Sequence, residues 1–391
     1  MAGSYIVAGA RTPIGKMSGA LASFSAADLG GLAIAAALER AGVAPQEVDH
    51  VIMGQVLMAG QGQVPSRQAA VKAGIPMSVP SVNINKVCLS GLNSIYLADQ
   101  MIQAGDADIV IAGGMESMTN APYIASGARG GFRYGNTELK DAIIADGLWC
   151  AFDSCLMGLG TERYAAGGIT REQQDDLAMK SNQRAAAAAA KLAEEIVPVS
   201  IPQRKGDPLI VSVDEGVRAD TTMQSLGGLK PAFDKEGTIT AANASQISDG
   251  GSAVVMMSEK AFKARGASAL GQVVSYGMVA GPDNASLLTQ PSRAILKALG
   301  KVGMKVADVN LFELNEAFAA VGIASIADLG ISDDIVNVNG GAIALGHPIG
   351  MSGNRLALTI LHELRRRGGG VGAVALCGGG GQGDALIVRT V

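Results

Sequence analysis

Residues 82–102, VNINKVCLSGLNSIYLADQMI, read as a strand that runs into a helix. The short apolar run from Pro80 to Ile84 supplies the strand. Beyond it, Leu92, Ile95, Tyr96 and Ile102 share one helical face. Cys88 therefore falls at or just before a helix N-terminus, where unpaired N–H groups and the helix dipole favour an anion. A thiolate is the nucleophilic form of cysteine. The plainer reading is an inert core residue, and for one cysteine alone it is the commoner outcome.

The stretch has an echo that tips the balance. VNIN (82–85) followed by SGLN (90–93) returns as VNVN (336–339) followed by SGNR (352–355). VDHVIMGQV (48–56) matches DVNLFELNE (308–316), and DADIVIAGG (106–114) matches VGAVALCGG (371–379). Three echoes in one order predict a duplicated fold. In the second copy GGAIALGHPIGM (340–351) is inserted between VNVN and SGNR, and it holds His347, one of only 3 histidines.

Around these landmarks strand and helix alternate, which predicts α/β halves with mostly parallel sheets covered by helices. Residues 4–8 read as a strand and GARTPIG (9–15) as a turn. Ser25 and Asp28 form a capping box for a helix that stops at Gly42, with Pro45 beyond. A short helix is expected around Gln68–Ala73. From Met118 to Asp249 the alternation lapses into turn-rich segments and one long helix, opened by Thr170 and Gln173 and closed by Pro198. Its alanine run reads as helix propensity on a surface, not as a functional tract. The expected organisation is an N-terminal half (1–118 with 249–268), a loop domain (119–248) and a C-terminal half (269–391).

The 391 residues are too many for one ordinary core. Apolar residues at 48% and charged residues at 17% fit a well-packed enzyme and argue against disorder. A net charge of -4 without a basic block leaves no footprint for nucleic acid or an anionic membrane. No apolar stretch reaches transmembrane length, and the opening residues lack the charged start of a signal peptide. The 4 cysteines, none in a C-x-x-C pair, predict free thiols in a reducing compartment, by default the cytoplasm.

Four motifs could carry chemistry: Cys88 in NKVCLSG, Asn315-Glu316 in ELNEAFA, His347 in GGAIALGHPIGMSG, and Cys377 in ALCGGGGQGDA. By the repeat, three of them sit at corresponding strand ends and helix starts, where open α/β sheets bind ligands. A thiol becomes a strong nucleophile when an imidazole takes its proton. His347, in a Gly-rich loop before Pro348, is expected to be rigid and solvent-reachable. His50, at a strand start, reads as an exposed edge residue. His362, in a helix ending HELRRRG, places charge at a helix C-terminus. The glycines after Cys377 allow close approach of a bulky ligand and leave N–H groups for an oxyanion. Two thiols and one histidine without metal-ligand spacing suit acyl transfer with an added proton transfer.

The four motifs, with GARTPIGK at the start, resemble the signature motifs of the thiolase family over essentially the whole chain. The pattern is most similar to its short-chain branch, the acetyl-CoA acetyltransferases. The resemblance implies a layered α/β/α/β/α fold of two five-stranded halves plus a loop domain, assembled as a tetramer of tight dimers. It implies reversible Claisen condensation of two acetyl-CoA to acetoacetyl-CoA and CoA, with CoA thioesters as substrates and no permanently bound cofactor.

By the same resemblance Cys88 is the acylated nucleophile and His347 its activator. Cys377 is the base for the second acetyl-CoA, and Asn315, through a water, and His347 hold that thioester's oxygen. The N–H groups of Cys88 and Gly379 form the oxyanion hole. Arg218, Ser225, Ala232, Phe233 and Ser245 match CoA-contacting positions. Ala317 and Phe318 match the pantetheine tunnel, and Met157 a position that shortens the acyl pocket. Two places depart from the family pattern. Leu156 stands where short-chain members carry a histidine, and Leu287-Leu288-Thr289-Gln290-Pro291 replaces a Met-Gly-x-Gly-Pro segment. Both bear on chain length, so a 3-ketoacyl-CoA thiolase for longer chains is the first rival. A redox protein pairing Cys88 with Cys377 leaves His347 and Asn315 without roles. A non-catalytic CoA-binding scaffold leaves all four motifs unexplained.

Overall fold

A computed structural model describes residues 4–391; Met1–Gly3, the start of the expected N-terminal half, lie outside the described residues. The strand Tyr5–Arg11 (β1) leads to the helix Ala26–Ala41 (α1). Ser25 Oγ accepts from the Asp28 N–H and the Asp28 carboxylate accepts from the Ser25 N–H, while Gly42 ends the helix at φ 60°. Next come His50–Gly54 (β2), Pro65–Lys72 (α2), Ser81–Ile84 (β3), Ser90–Ala104 (α3) and Ile109–Ser117 (β4). Trp149–Cys150 (β5) and Cys155–Leu156 (β6) form a small hairpin before the helices Met157–Ala165 (α4) and Arg171–Ala187 (α5). The remainder runs Ser248–Met257 (β7), Gly271–Ala280 (β8), Gln290–Lys301 (α6), Leu311–Leu314 (β9), Ala319–Leu329 (α7), Ala342–Leu345 (α8), Ser352–Arg366 (α9), Val371–Gly378 (β10) and Gln382–Arg389 (β11).

The first half orders its strands β3-β2-β4-β7-β1, the second β9-β10-β11-β8, and β1 pairs β8 along two residues where the halves meet. In the first half β1, β2, β3 and β4 point one way and only β7 runs against them. β11 plays the same part in the second half. The fifth place there falls to VNVN, which makes a single bridge, Val336 to Phe312. Asn337 explains the shortfall. Its φ of 46° breaks the extended run, and its side-chain amide takes over the ladder, donating to Leu314 O at 2.8 Å and accepting from Leu314 N at 2.9 Å.

Alternation along the strands sets the layers. Ile109, Ile111, Ala253 and Val255 face α1 and α2 on one outer side. Ala373, Ala375, Ala385 and Ile387 face α6 on the other. The intervening residues Val110, Ala112, Val254, Val374, Leu376, Leu386 and Val388 face inward, onto α3 and α9. The chain is thus five layers, α/β/α/β/α, with α3 and α9 as the central pair. Where these helices cross, glycine is obligatory. A Cβ on Gly91 would lie 2.8 Å from Gly350 O and 2.9 Å from Met351 O, and one on Gly353 would lie 2.4 Å from Leu92 N. The SG of both repeats is a steric requirement of this contact.

The alanine run departs from expectation. The helix breaks at Ala188, and Ala185 and Ala188 are buried with Ile14, Ala344, Leu345 and Met351. The small side chains of Ala185 and Ala188 let α5 lie against the inserted segment, so one face of the run is packing while Ala187, Ala189 and Ala190 stay on the surface as expected. The crossing itself yields a prediction. Gly91→Ala forces backbone apart on both sides and should cost about 2 kcal/mol, measurable as a lowered denaturant midpoint at unchanged m-value.

Candidate active site

The crossing of α3 and α9 brings their N-termini together, and with them the residues just ahead of each helix. Cys88 lies two residues before Ser90 and is 4% exposed. Val87 before it sits at φ 50°, a conformation that costs a non-glycine on the order of 1 kcal/mol. Polar contacts hold the turn. Lys86 N donates to Ser90 Oγ at 2.8 Å, Ser90 Oγ donates to Val87 O at 2.6 Å, and Val87 N donates to Asn85 Oδ1 at 3.1 Å. Lys86 Nζ reaches Asp384 at 2.7 Å, tying the Cys88 turn to the strand beside Cys377, since Asp384 pairs with Leu376 and Gly383 with Cys377.

His347 follows α8 and is only 5% exposed, so it is not the solvent-reachable loop histidine expected. Its Nδ1 lies 2.5 Å from Ser352 Oγ, which itself donates to Pro348 O at 3.0 Å. Ser352 must therefore accept from Nδ1–H, which leaves Nε2 as a lone pair. Asn315 Nδ2 donates to that nitrogen at 3.2 Å. Burial, with a smaller push from Arg355, drives the imidazole pKa down to about 3, so His347 is neutral near pH 7. Asn315 Oδ1 is buried without a hydrogen-bond partner, an arrangement that suits a water or a ligand group.

The thiols correct a second expectation. The helix end does not hold Cys88 as a thiolate. Burial foremost, with Glu116 adding to it, pushes the thiol up to about 12. Cys377 is raised too, by burial and then by the neighbouring Cys88 sulfur. Both are neutral thiols set in apolar surroundings. Cys88 packs with Leu57, Met118 and Ile349, and Cys377 with Leu287, Ala317 and Val321. Gly379 lies beside the Cys88 turn, for a Cβ there would meet Val87 Cγ2 at 3.1 Å.

Two further residues at the site were not singled out from sequence. Ser352 had been read only as a helix start. Glu116, a carboxylate inside an apolar strand, was the visible signal that went unused. It accepts from Val56 N at 3.0 Å, Leu57 N at 3.1 Å and Gly350 N at 2.9 Å, joining the two halves beside Cys88, and burial raises it to about 7.

In front of the histidine opens a largely apolar cavity of about 600 Å³. Met157, Ala232, Phe233, Ser245, Ala317 and Phe318 line it together with His347, and so does Leu156. Arg218 and Ser225 are not in the lining. Arg218 is exposed and its N–H donates to Asn182 Oδ1, while Ser225 completes a capping box with Thr222. His50 and His362 are both partly buried and held below the ordinary imidazole range by that burial, so His50 is not the exposed edge residue expected and His362 is disfavoured from carrying the charge expected of it. Among the described residues there is no cluster suited to a metal ion and no helix long and apolar enough to cross a membrane.

Comparison with known proteins agrees with this geometry. Residues 4–260 match the family "Thiolase, N-terminal domain" and residues 267–390 match "Thiolase, C-terminal domain". A probable acetyl-CoA acetyltransferase of Mycobacterium leprae is 54% identical over 394 residues, covering 100% of both chains. An acetyl-CoA acetyltransferase of Cupriavidus necator is 52% identical over 387 residues, 98% of each. The crystal structure of the Bacillus anthracis acetyl-CoA acetyltransferase superposes with a TM-score of 0.96 at 38% identity, covering 100% of this chain and 99% of that one.

A buried thiol held in its neutral form has a pH signature. Alkylation of Cys88 by iodoacetamide, followed by peptide mass spectrometry, should lack the inflection near pH ~8.5 of a free thiol. A sigmoid centred there would show an ordinary exposed cysteine instead.

Proposed function

Because the chain belongs to the thiolase family, we propose that it is an acetyl-CoA C-acetyltransferase, condensing two acetyl-CoA reversibly to acetoacetyl-CoA and CoA. The observation that carries this reading is a buried, neutral His347 lining an apolar cavity whose other lining residues, Met118 and Ile349 on one side and Met157 and Ala317 on the other, pack with Cys88 and Cys377. In the first half-reaction Cys88 Sγ attacks the thioester carbonyl as its proton passes to His347. With the thiol near 12 and the imidazole near 3, an ion pair ahead of attack is disfavoured, so the proton leaves as the carbon–sulfur bond forms. The N–H groups of Cys88 and Gly379 take the oxyanion. The departing CoA sulfur receives its proton from Cys377.

That division leaves His347 protonated and Cys377 as thiolate, the states the second half needs. Cys377 removes a methyl proton from the second acetyl-CoA. The enolate oxygen is held by His347 Nε2–H and by a water on Asn315, whose unpartnered Oδ1 suits one. Attack on acetyl-Cys88 forms the carbon–carbon bond, and the expelled sulfur recovers its proton from His347.

The region 119–248 acts as the loop domain that receives CoA, with Met157, Ala232, Phe233 and Ser245 on the cavity wall and Arg218 and Ser225 farther out. Met157, Leu287 and Leu288 crowd Cys377, which favours a short acyl chain. The enzyme needs no resident cofactor for these steps. We read it as a cytoplasmic homotetramer, a dimer of dimers; the open edge of β3, with Val82 42% exposed, offers a strand for pairing with a second copy. Leu156 in the cavity wall, where a histidine would offer a polar group, favours the 3-ketoacyl-CoA thiolase reading for longer chains.

Intact-mass measurement should show one acetyl group on Cys88 in the wild type and in Cys377→Ala, with condensation lost only in the variant. An adduct-free Cys377→Ala would break the division of labour. Thiolysis rates should fall steeply from four-carbon to ten-carbon 3-ketoacyl-CoA; equal rates would select the longer-chain enzyme.

A further inference from the structure

We propose that Cys150 and Cys155 form a reversible dithiol–disulfide pair behind the acyl cavity, with a hydroperoxide as the oxidant. The functional part of this proposal rests on reading that cavity as the acyl-CoA site. The two cysteines are direct cross-strand partners in the β5–β6 hairpin. Directly opposed residues of an antiparallel pair have Cα atoms about 4.5–5.5 Å apart and Cβ atoms at a similar spacing. A disulfide accepts Cα separations of about 4.4–6.8 Å and needs Cβ atoms about 3.5–4.5 Å apart. Closing the bond therefore asks the hairpin to tighten by roughly 1 Å, with no rearrangement of register.

The surroundings differ from those of Cys88 and Cys377. Neither sulfur belongs to an apolar cluster; both have polar partners. Cys150 Sγ donates to Asp153 Oδ2 at 3.6 Å and accepts from Asp153 N at 3.4 Å. Arg163 Nη1 donates to Cys155 Sγ at 3.7 Å, so charge developing on that sulfur during attack meets a cation. Cys150, Asp153, Met157 and Gly380 border a cleft of about 10 Å³, the room of a single water, which leaves Cys150 as the thiol of the pair that faces open space.

The chemistry closes in two steps. Cys150 sulfur, which borders the cleft, attacks one peroxide oxygen; the S–O bond forms, the O–O bond breaks, and the thiol proton leaves on the departing oxygen as water or alcohol. Cys155 sulfur, beside Arg163, then attacks the sulfenic sulfur; S–S forms, S–O breaks, and the Cys155 proton leaves with the hydroxyl as water. Two thiols are oxidised and one peroxide is reduced by two electrons. A dithiol reductant reverses the bond.

The hairpin transmits the change. Its next pair, Trp149 and Leu156, points to the opposite face. Leu156 and the adjoining Met157 line the main cavity. Drawing β6 toward β5 moves both, so the bond registers as weaker acyl-CoA binding while Cys88 keeps its chemistry.

The test uses full-length enzyme treated with hydrogen peroxide, alongside Cys155→Ser and Cys150→Ser. Tryptic fragment 141–163 contains Cys150 and Cys155 and neither Cys88 nor Cys377. We expect this fragment to lose two hydrogens in the wild type and to regain them with dithiothreitol. The KM for acetyl-CoA should rise severalfold with the bond, and in neither serine variant. Oxidation of Cys88 lowers the active fraction, hence kcat, and is separated by the KM reading. A fragment that stays reduced, a bond to Cys88 or Cys377 instead, or the same KM change in the variants would overturn the proposal. The fragment mass is independent of activity, so absence of any acetyl adduct on untreated Cys88 would count against the functional reading alone.

Discussion

The crossing of α3 and α9 at Gly91 and Gly353 is the constraint on which the rest depends. Duplication alone makes two equivalent helices. Burying both between the sheets makes them neighbours, and backbone-to-backbone contact at their first turns fixes how near they come. Whatever precedes each helix is then delivered to one place. Cys88 precedes one and His347 the other, so the two residues proposed as the catalytic pair come together through symmetry plus one steric contact. The inserted GGAIALGHPIGM breaks the symmetry where it is useful, giving one copy a thiol and the other an imidazole.

Magnitudes decide the charge state of that pair. A helix N-terminus contributes about 0.3–1 kcal/mol to an adjacent anion, and about 2 in favourable geometry. Raising a thiol from 9.0 to about 12 reflects a preference for the neutral form of roughly 4 kcal/mol. Burial wins. A cysteine at a helix start is therefore an incomplete argument for a thiolate, and the missing quantity is depth. The site therefore rests as uncharged sulfur and nitrogen.

What could be read from the chain was local or periodic. The Ser25–Asp28 box, the Gly42 stop and the strand alternation each lie within a short stretch of chain, the three echoes are a repeat visible by comparing one half with the other, and each appears in the fold. Depth and long-range pairing were not legible. Nothing near His347 in sequence shows that Gln246, Ser248 and Asn315 close around it, so it read as reachable. The alanines of α5 looked like propensity because their partners, Ile14 and Leu345, are distant in sequence. VNVN matched a strand by composition, yet Asn337 satisfies Leu314 with its side chain and ends the ladder after one bridge. The six cavity-lining positions inferred by resemblance do converge, because a family motif carries tertiary information that spacing does not.

The Asn315-Glu316 dipeptide shows how closely site and scaffold are coupled. Consecutive residues at a strand end point to opposite sides. Asn315 turns toward His347 Nε2. Glu316 turns away and accepts from Ser181 Oγ at 2.7 Å, Asn337 Nδ2 at 2.8 Å and Ile343 N at 3.1 Å. Those donors belong to α5, to the shortened strand and to the start of the insertion that carries His347. A buried carboxylate with three donors is costly to form and costly to disturb, which makes it a rigid fixture. One strand end thus places the amide against the imidazole with one side chain and anchors the imidazole's own loop with the next. The insertion that makes the two halves different is held by the residue beside the one it serves.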